Sequence, residues 1–103
     1  MSTMRLVKKT TPESILDAVA DVSGYSPDEL RGRARGATLA QWRHVGMHVA
    51  RERGMTLLAA GDIFNRHFTT AIMAYNKVED HRNDIEDILK EVHEHIDNRD
   101  SSS

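Results

Sequence analysis

Cysteine is absent from the 103 residues. That excludes a disulfide framework and any zinc site built on thiolates, and it fits a reducing compartment. No apolar run approaches the roughly 18 residues that a membrane span needs. Met1 to Thr11 contains no apolar stretch of the kind a secretory signal carries, so a cytoplasmic location is the expectation. Neither a G-x-x-x-x-G-K-[ST] loop nor a G-x-G-x-x-G turn is present, which leaves nucleotide hydrolysis without a home. The histidine pairs His44/His48 and His93/His95 have metal-compatible spacing, but H-E-x-x-H is missing and no acid pair accompanies them in a known motif. No Ser-His-acid order marks a nucleophile. The carboxylates near the C-terminus read as the solvated face of a helix, not as acid/base pairs. The sequence therefore implies no enzyme, no metal and no cofactor.

What is present is enough for one domain. Hydrophobic residues make up 39% and charged residues 29%, outside the disordered range and sufficient for a compact helical core. The net charge of −2 conceals an asymmetry. Residues 1–76 hold ten Lys/Arg and seven Asp/Glu, giving +3, whereas residues 77–103 hold four and nine, giving −5. Six arginines (31, 33, 35, 43, 51, 53) face a single acid, Glu52, within residues 31–53. Screening over about 10 Å keeps such fields local, so an acidic end does not cancel a basic patch on another face.

Along the chain, residues 1–11 read as a flexible leader. Thr11 and Pro12 then form a helix start, and Ile15, Leu16, Val19, Ala20 and Val22 recur at helical spacing up to Gly24. Ser26-Pro27-Asp28-Glu29 has capping-box spacing and opens a short helix. A flexible basic loop, Arg31-Gly32-Arg33-Ala34-Arg35-Gly36, follows. Thr38 is expected to cap a long helix over 39–53, whose candidate buried stripe is Leu39, Trp42, Val45, Val49 and Ala50. Trp42 reads as core in preference to a wedge against a ligand. Thr56 caps a helix over 57–64, Asn65-Arg66 make a turn, and helices over 67–80 and 82–97 complete the chain. Residues 98–103 are expected to fray as a disordered tail. Strict apolar/polar alternation occurs nowhere, so the fold class is all-α with about six helices.

The short helix, tight turn and longer helix around Asn65-Arg66 have the layout of a helix-turn-helix, whose second helix meets base edges with its first turn. Arg66, His67, Thr69 and Thr70 occupy that turn, and threonine suits it because its hydroxyl can donate or accept while its methyl can touch thymine. Two packed core helices are the plain alternative. The basic loop favours the first reading: arginines spaced by small residues suit an arm along a phosphate backbone or in a narrow minor groove.

These features in this order resemble the C-terminal DNA-binding domain of the bacterial replication initiator DnaA. The family signature G-G-R-D-H-[ST]-T-V corresponds to the stretch Phe64-Asn65-Arg66-His67-Phe68-Thr69-Thr70-Ala71-Ile72, with one residue missing after the phenylalanine at the turn and His67-Phe68 in place of Asp-His. Ser26 to Leu30 match the family's short helix, Gly54 to Phe64 the first helix of its motif, and Tyr75 to Glu79 its R-K-I-E ending. The resemblance spans about Pro12 to Ile96. It implies sequence-specific binding of double-stranded DNA by a stand-alone domain, 12–97, acting as a transcriptional or replication regulator. Carried over by position, it implies that Arg35 enters the minor groove with Arg33 beside it on the backbone. Arg43, His44 and Arg51 would face phosphates, Thr56 and Leu57 would approach the backbone, and Lys77 would make a peripheral contact. Arg66, His67, Thr69 and Thr70 would meet the major groove. The exchange of Asp-His for His67-Phe68 alters the base-reading turn, so the resemblance does not imply the family's usual binding sequence. For that pair the alternative is that Phe68 turns into the core and His67 merely caps.

A second class of function stays open: a protein-interaction module that kept the fold and works through its acidic last helix. Ile85, Ile88, Leu89, Val92 and Ile96 form a continuous stripe there, and a second copy or a partner protein could pair with it.

Overall fold

The computed structural model describes residues 10–101, so most of the expected leader lies outside the described residues. Six helices follow one another: α1 (Pro12–Ser23), α2 (Pro27–Arg31), α3 (Ala37–Glu52), α4 (Leu57–Ile63), α5 (Phe68–Asp80) and α6 (Arg82–Ser101). No strand occurs among the described residues, and the fold is all-α as expected. No helix there is long and apolar enough to cross a membrane.

Local chemistry sets most helix starts. The Thr11 hydroxyl accepts from the Ser14 N–H at 3.1 Å, and the Ser14 hydroxyl oxygen accepts from the Thr11 N–H at 3.2 Å. Ser26 and Glu29 form the same reciprocal cap at 3.1 and 2.9 Å. Each arrangement satisfies two backbone donors that a helix N-terminus leaves orphaned. The start of α3 differs from expectation. The helix begins at Ala37, its cap is Gly36 at φ 149°, and Thr38 lies exposed in the first turn. Glycine takes up the reversal of the backbone there, at an angle threonine rarely adopts.

The third helix runs through the middle of the molecule, against α1, α4, α5 and α6. A single buried stripe therefore does not describe it: every residue from Val45 to Ala50 is buried, His48 among them. Trp42 is half-buried at the edge of the core, where it lines a groove with His44, Lys77, Ile85 and Ile88. Phe64, fully buried at the end of α4, lies across Gly46. A Cβ at Gly46 would stand 2.1 Å from Phe64 Cζ, so a glycine is needed for the end of α4 to seat on α3.

The last helix extends to Ser101, and residues 98–101 continue it where a frayed tail was expected. It packs along α1. Of the stripe considered as a partner seam, Leu89, Val92 and Ile96 are buried in the chain's own core, and Ile85 and Ile88 are half-buried against it. Burying such a side chain contributes roughly 1.5–3 kcal/mol, so freeing three of them would consume most of a small domain's stability. The seam is intramolecular. Ion pairs Arg99–Asp17 (3.0 Å) and Arg53–Asp97 (2.6 Å) line its rim.

Candidate nucleic-acid interface

The helix-turn-helix consists of α4, the residues 64–67 and α5. Its turn is closed by backbone bonds from Asn65 N–H to Asp62 O (3.1 Å) and from Arg66 N–H to Gly61 O (2.9 Å). Asn65 takes the left-handed conformation at φ 59°, which asparagine tolerates better than most residues. Gly61 permits the close return of the chain, since a Cβ there would stand 2.7 Å from the Arg66 carbonyl oxygen.

Two arginines tie the basic loop to this turn, and a third ties the root of the loop to α3. Arg31 Nη1 donates to Ile63 O at 3.3 Å. Arg66 Nη1 donates to Phe64 O (2.9 Å) and Asn65 O (3.2 Å), and its Nη2 donates to Gly32 O at 2.8 Å. Arg43 reaches the same end of α2 from α3: its Nε donates to Leu30 O at 2.7 Å, and its Nη2 to Glu29 O (2.8 Å) and Gly32 O (3.2 Å).

Two expected DNA contacts need correction on this ground. Arg43 is only 5% exposed and its donors satisfy the terminal carbonyls of α2, so it does not face phosphate. Desolvation, with the nearby Arg66 charge added, lowers its pKa. Arg66 is half-buried, and the guanidinium expected in the major groove instead fastens loop to turn. Nothing in the sequence distinguishes these two from the other arginines, because their carbonyl partners belong to distant turns.

The remaining candidates are placed as follows. Arg33 and Arg35 are exposed on the loop and carry no hydrogen bond or ion pair among the described residues. Arg51 is exposed, with Nη1 on Met55 O at 3.1 Å. The Thr56 hydroxyl caps α4 by accepting from the Ala59 N–H at 3.1 Å, and Leu57 is half-buried against the core. Burial first, then the Lys77 and Arg43 charges, lower the pKa of half-buried His44. It is therefore a neutral ring at pH 7, beside an exposed Lys77.

His67 does cap α5. Its Nδ1 accepts from the Thr69 N–H at 3.3 Å and lies 2.9 Å from the Thr69 hydroxyl. With Nδ1 accepting, Nε2 carries the ring N–H and is a donor on an exposed side chain. Phe68 does not turn into the core. It is 40% exposed, with its ring 4.7 Å from that of His67. Thr69 is exposed and Thr70 half-buried. Sequence reasoning missed Ile72, Met73 and Asn76, which share the outward face of α5 with Thr69 and Lys77 around a shallow depression. The spacing 69, 72, 73, 76 was the available signal.

On another side of α3, His48 is fully buried and stacked on Tyr75, with ring centroids 4.6 Å apart. Its Nε2 donates to Glu79 Oε2 at 2.5 Å, and its Nδ1 lies 3.6 Å from Glu52 Oε1. His48, Glu52 and Glu79 are the group with metal-ligand spacing among the described residues. Arg82 Nη1 already spans the two carboxylates, at 2.9 Å from Glu52 and 2.7 Å from Glu79, and supplies positive charge there. For Glu52, desolvation alone would raise the pKa, but hydrogen bonds from Arg82 and His93 together with the His48 and Arg82 charges outweigh it and hold the carboxyl below its ordinary range. For Glu79 the bond from His48 leads the lowering. This network joins α3, α5 and α6, and positions α5 from behind.

Comparison with known proteins agrees with this geometry. The family described as bacterial dnaA protein helix-turn-helix matches residues 12–78. Chromosomal replication initiator protein DnaA 2 of Chlamydia caviae is 30% identical over 89 residues, which cover 82% of this chain and 19% of the relative. Its namesake in Protochlamydia amoebophila is 30% identical over 70 residues, covering 67% and 16%. Chromosomal replication initiator protein DnaA of Pseudothermotoga lettingae is 27% identical over 84 residues, covering 81% and 19%. The chain spans less than a fifth of the length of these relatives.

Proposed function

The chain belongs to the bacterial dnaA protein helix-turn-helix family, a DNA-binding family, and from that premise we propose that it binds double-stranded DNA sequence-specifically and acts by occupancy, as a regulator of transcription or replication at the nucleoid. The observation that carries the reading is the junction of loop and motif. Arg33 and Arg35 are exposed, with no partner among the described residues, on a loop that Arg66 fastens to the helix-turn-helix turn, three residues ahead of exposed Thr69. Arginines on such an arm neutralise phosphates or enter a narrow minor groove, while α5 enters the adjacent major groove. His67 offers Nε2–H where the family's signature has an acid, which replaces an acceptor for cytosine with a donor for a purine or a phosphate. Arg51 and His44 flank the motif, Lys77 lies in the last turns of α5, and all three contribute to the phosphate contacts.

Selection from random duplexes followed by sequencing tests this. An enriched motif, with affinity falling steeply between about 50 and 200 mM salt, is expected. Absence of enrichment together with salt-independent behaviour would refute it.

A further inference from the structure

We propose that the outward face of α5 reads A·T base pairs, through contact of Ile72 and Met73 with thymine methyl groups and through the Asn76 amide on adenine. The proposal rests on the duplex-binding reading above.

The outward face has an unusual composition. Four large apolar side chains are exposed among the described residues: Leu58 on α4, and Phe68 (40%), Ile72 (38%) and Met73 (50%) on α5. Three of the four therefore crowd the first two turns of the helix that the motif presents. Ile72 and Met73 join Thr69, Asn76, Lys77 and Asp80 around one shallow depression. At 1.5 Å per residue, Thr69 to Asn76 extends about 10 Å, the length of about three base steps.

The chemistry of the strip narrows what it can distinguish. Guanine is read mainly by arginine or lysine on O6 and N7, and cytosine by a carboxylate on its amino group. From Phe68 to Asn76 the helix carries neither kind of residue. The nearest arginine, Arg66, donates to three backbone carbonyls, and the first charges on α5 are Lys77 and then Glu79 and Asp80, beyond Asn76. His67 Nε2–H can donate to N7 of either purine and does not discriminate. What remains is an apolar floor, which suits the thymine C5-methyl, and an amide, which can pair with adenine N6 and N7 at once. Contact with the methyl would also cover apolar surface that the free protein leaves in water.

Replacing thymine by deoxyuridine tests this cleanly. It removes the methyl from the major groove and leaves the phosphates, the pairing and the minor-groove edge that an Arg35 arm would meet. Titrations would use the wild-type chain on a selected duplex and on the same duplex carrying deoxyuridine throughout. Affinity is expected to fall about fourfold for each methyl in contact. The doubly substituted Ile72→Ser, Met73→Ser chain should lose most of the difference between the two duplexes. Asn76→Ala should lose about fivefold or more on the thymine duplex. Equal wild-type affinity for the two duplexes, or a selected motif dominated by G·C pairs, would overturn the proposal and leave duplex binding standing. Failure to bind any duplex would overturn the functional reading itself, and this inference with it.

Discussion

Arg66 Nη2 donates to the carbonyl oxygen of Gly32 at 2.8 Å, across 34 positions of sequence. Gly32 O also accepts from Arg43 at 3.2 Å, so two guanidiniums converge on the first glycine of the basic loop. The loop is thus anchored at its root while Arg33 and Arg35 stay exposed. Anchoring reduces the freedom those side chains would lose on meeting DNA. Arg66→Ala should lower stability by about 1.5–3 kcal/mol, the usual range for hydrogen bonds from a charged donor. It should also reduce affinity for random duplexes through the loosened loop. Urea unfolding and a duplex titration on the same variant would measure both; unchanged stability would remove Arg66 from this role.

Arg43 should behave as a folding residue. Arg43→Met is expected to cost about 3 kcal/mol or more, because it strands buried carbonyls. Arg43→Lys should rescue little, since a single ammonium cannot reproduce the fork that serves three oxygens. Were Arg43→Met to melt like the wild type yet bind DNA less well, a phosphate contact would be the better account.

The contact between Phe64 and Gly46 predicts a strong coupling. Gly46→Ala places a methyl inside the Phe64 ring position and should cost about 1–3 kcal/mol or more. In a Phe64→Leu background the same substitution should cost less, and a double-mutant cycle from thermal melts would expose the difference. Strict additivity would contradict the packing described.

Acid sensitivity follows from Glu52 and Glu79, whose pKa values are lowered in the fold from the ordinary 4.5. A depressed carboxylate contributes stability that is present above its unfolded pKa and lost as pH falls through the folded one. Stability should therefore decline below about pH 4.5, and Glu79→Gln should flatten that decline. Denaturant midpoints collected from pH 3 to 7 would test it, and an identical acid limb in the variant would count against the network.

His44 predicts the opposite linkage in binding. Its lowered pKa means that the folded chain disfavours its protonation, so stability erodes as pH falls below the ordinary 6.5. A phosphate placed beside it would raise that pKa, and duplex affinity should then increase from pH 8 to pH 6. His44→Gln should reduce this rise; an undiminished rise would move His44 out of the interface.

Arg35→Ala should weaken duplex binding by about 1–3 kcal/mol if the side chain enters a groove. Thr69→Ala with Thr70→Ala should flatten sequence preference more than nonspecific affinity. Gel shifts on selected and random duplexes separate the two effects, and a uniform loss from the threonine pair would argue against base contact.

Sequence by itself determined the six helices and most of their starts, α3 excepted. Thr11, Ser26 and Thr56 cap through backbone groups within three residues of themselves, and such contacts are written locally. The turn at Asn65-Arg66, the loop of arginines and the family likeness were legible for the same reason. Only the tertiary structure decided which of the four arginines are engaged among the described residues. Arg33, Arg35, Arg43 and Arg66 look alike along the chain, yet two stand in solvent and two are held by carbonyls that exist as acceptors only once α2 and α4 have ended beside one another. The same holds for α6, whose stripe could serve any neighbour until α1 is there to cover it, because apolar contact is non-directional and its partner is chosen by the fold.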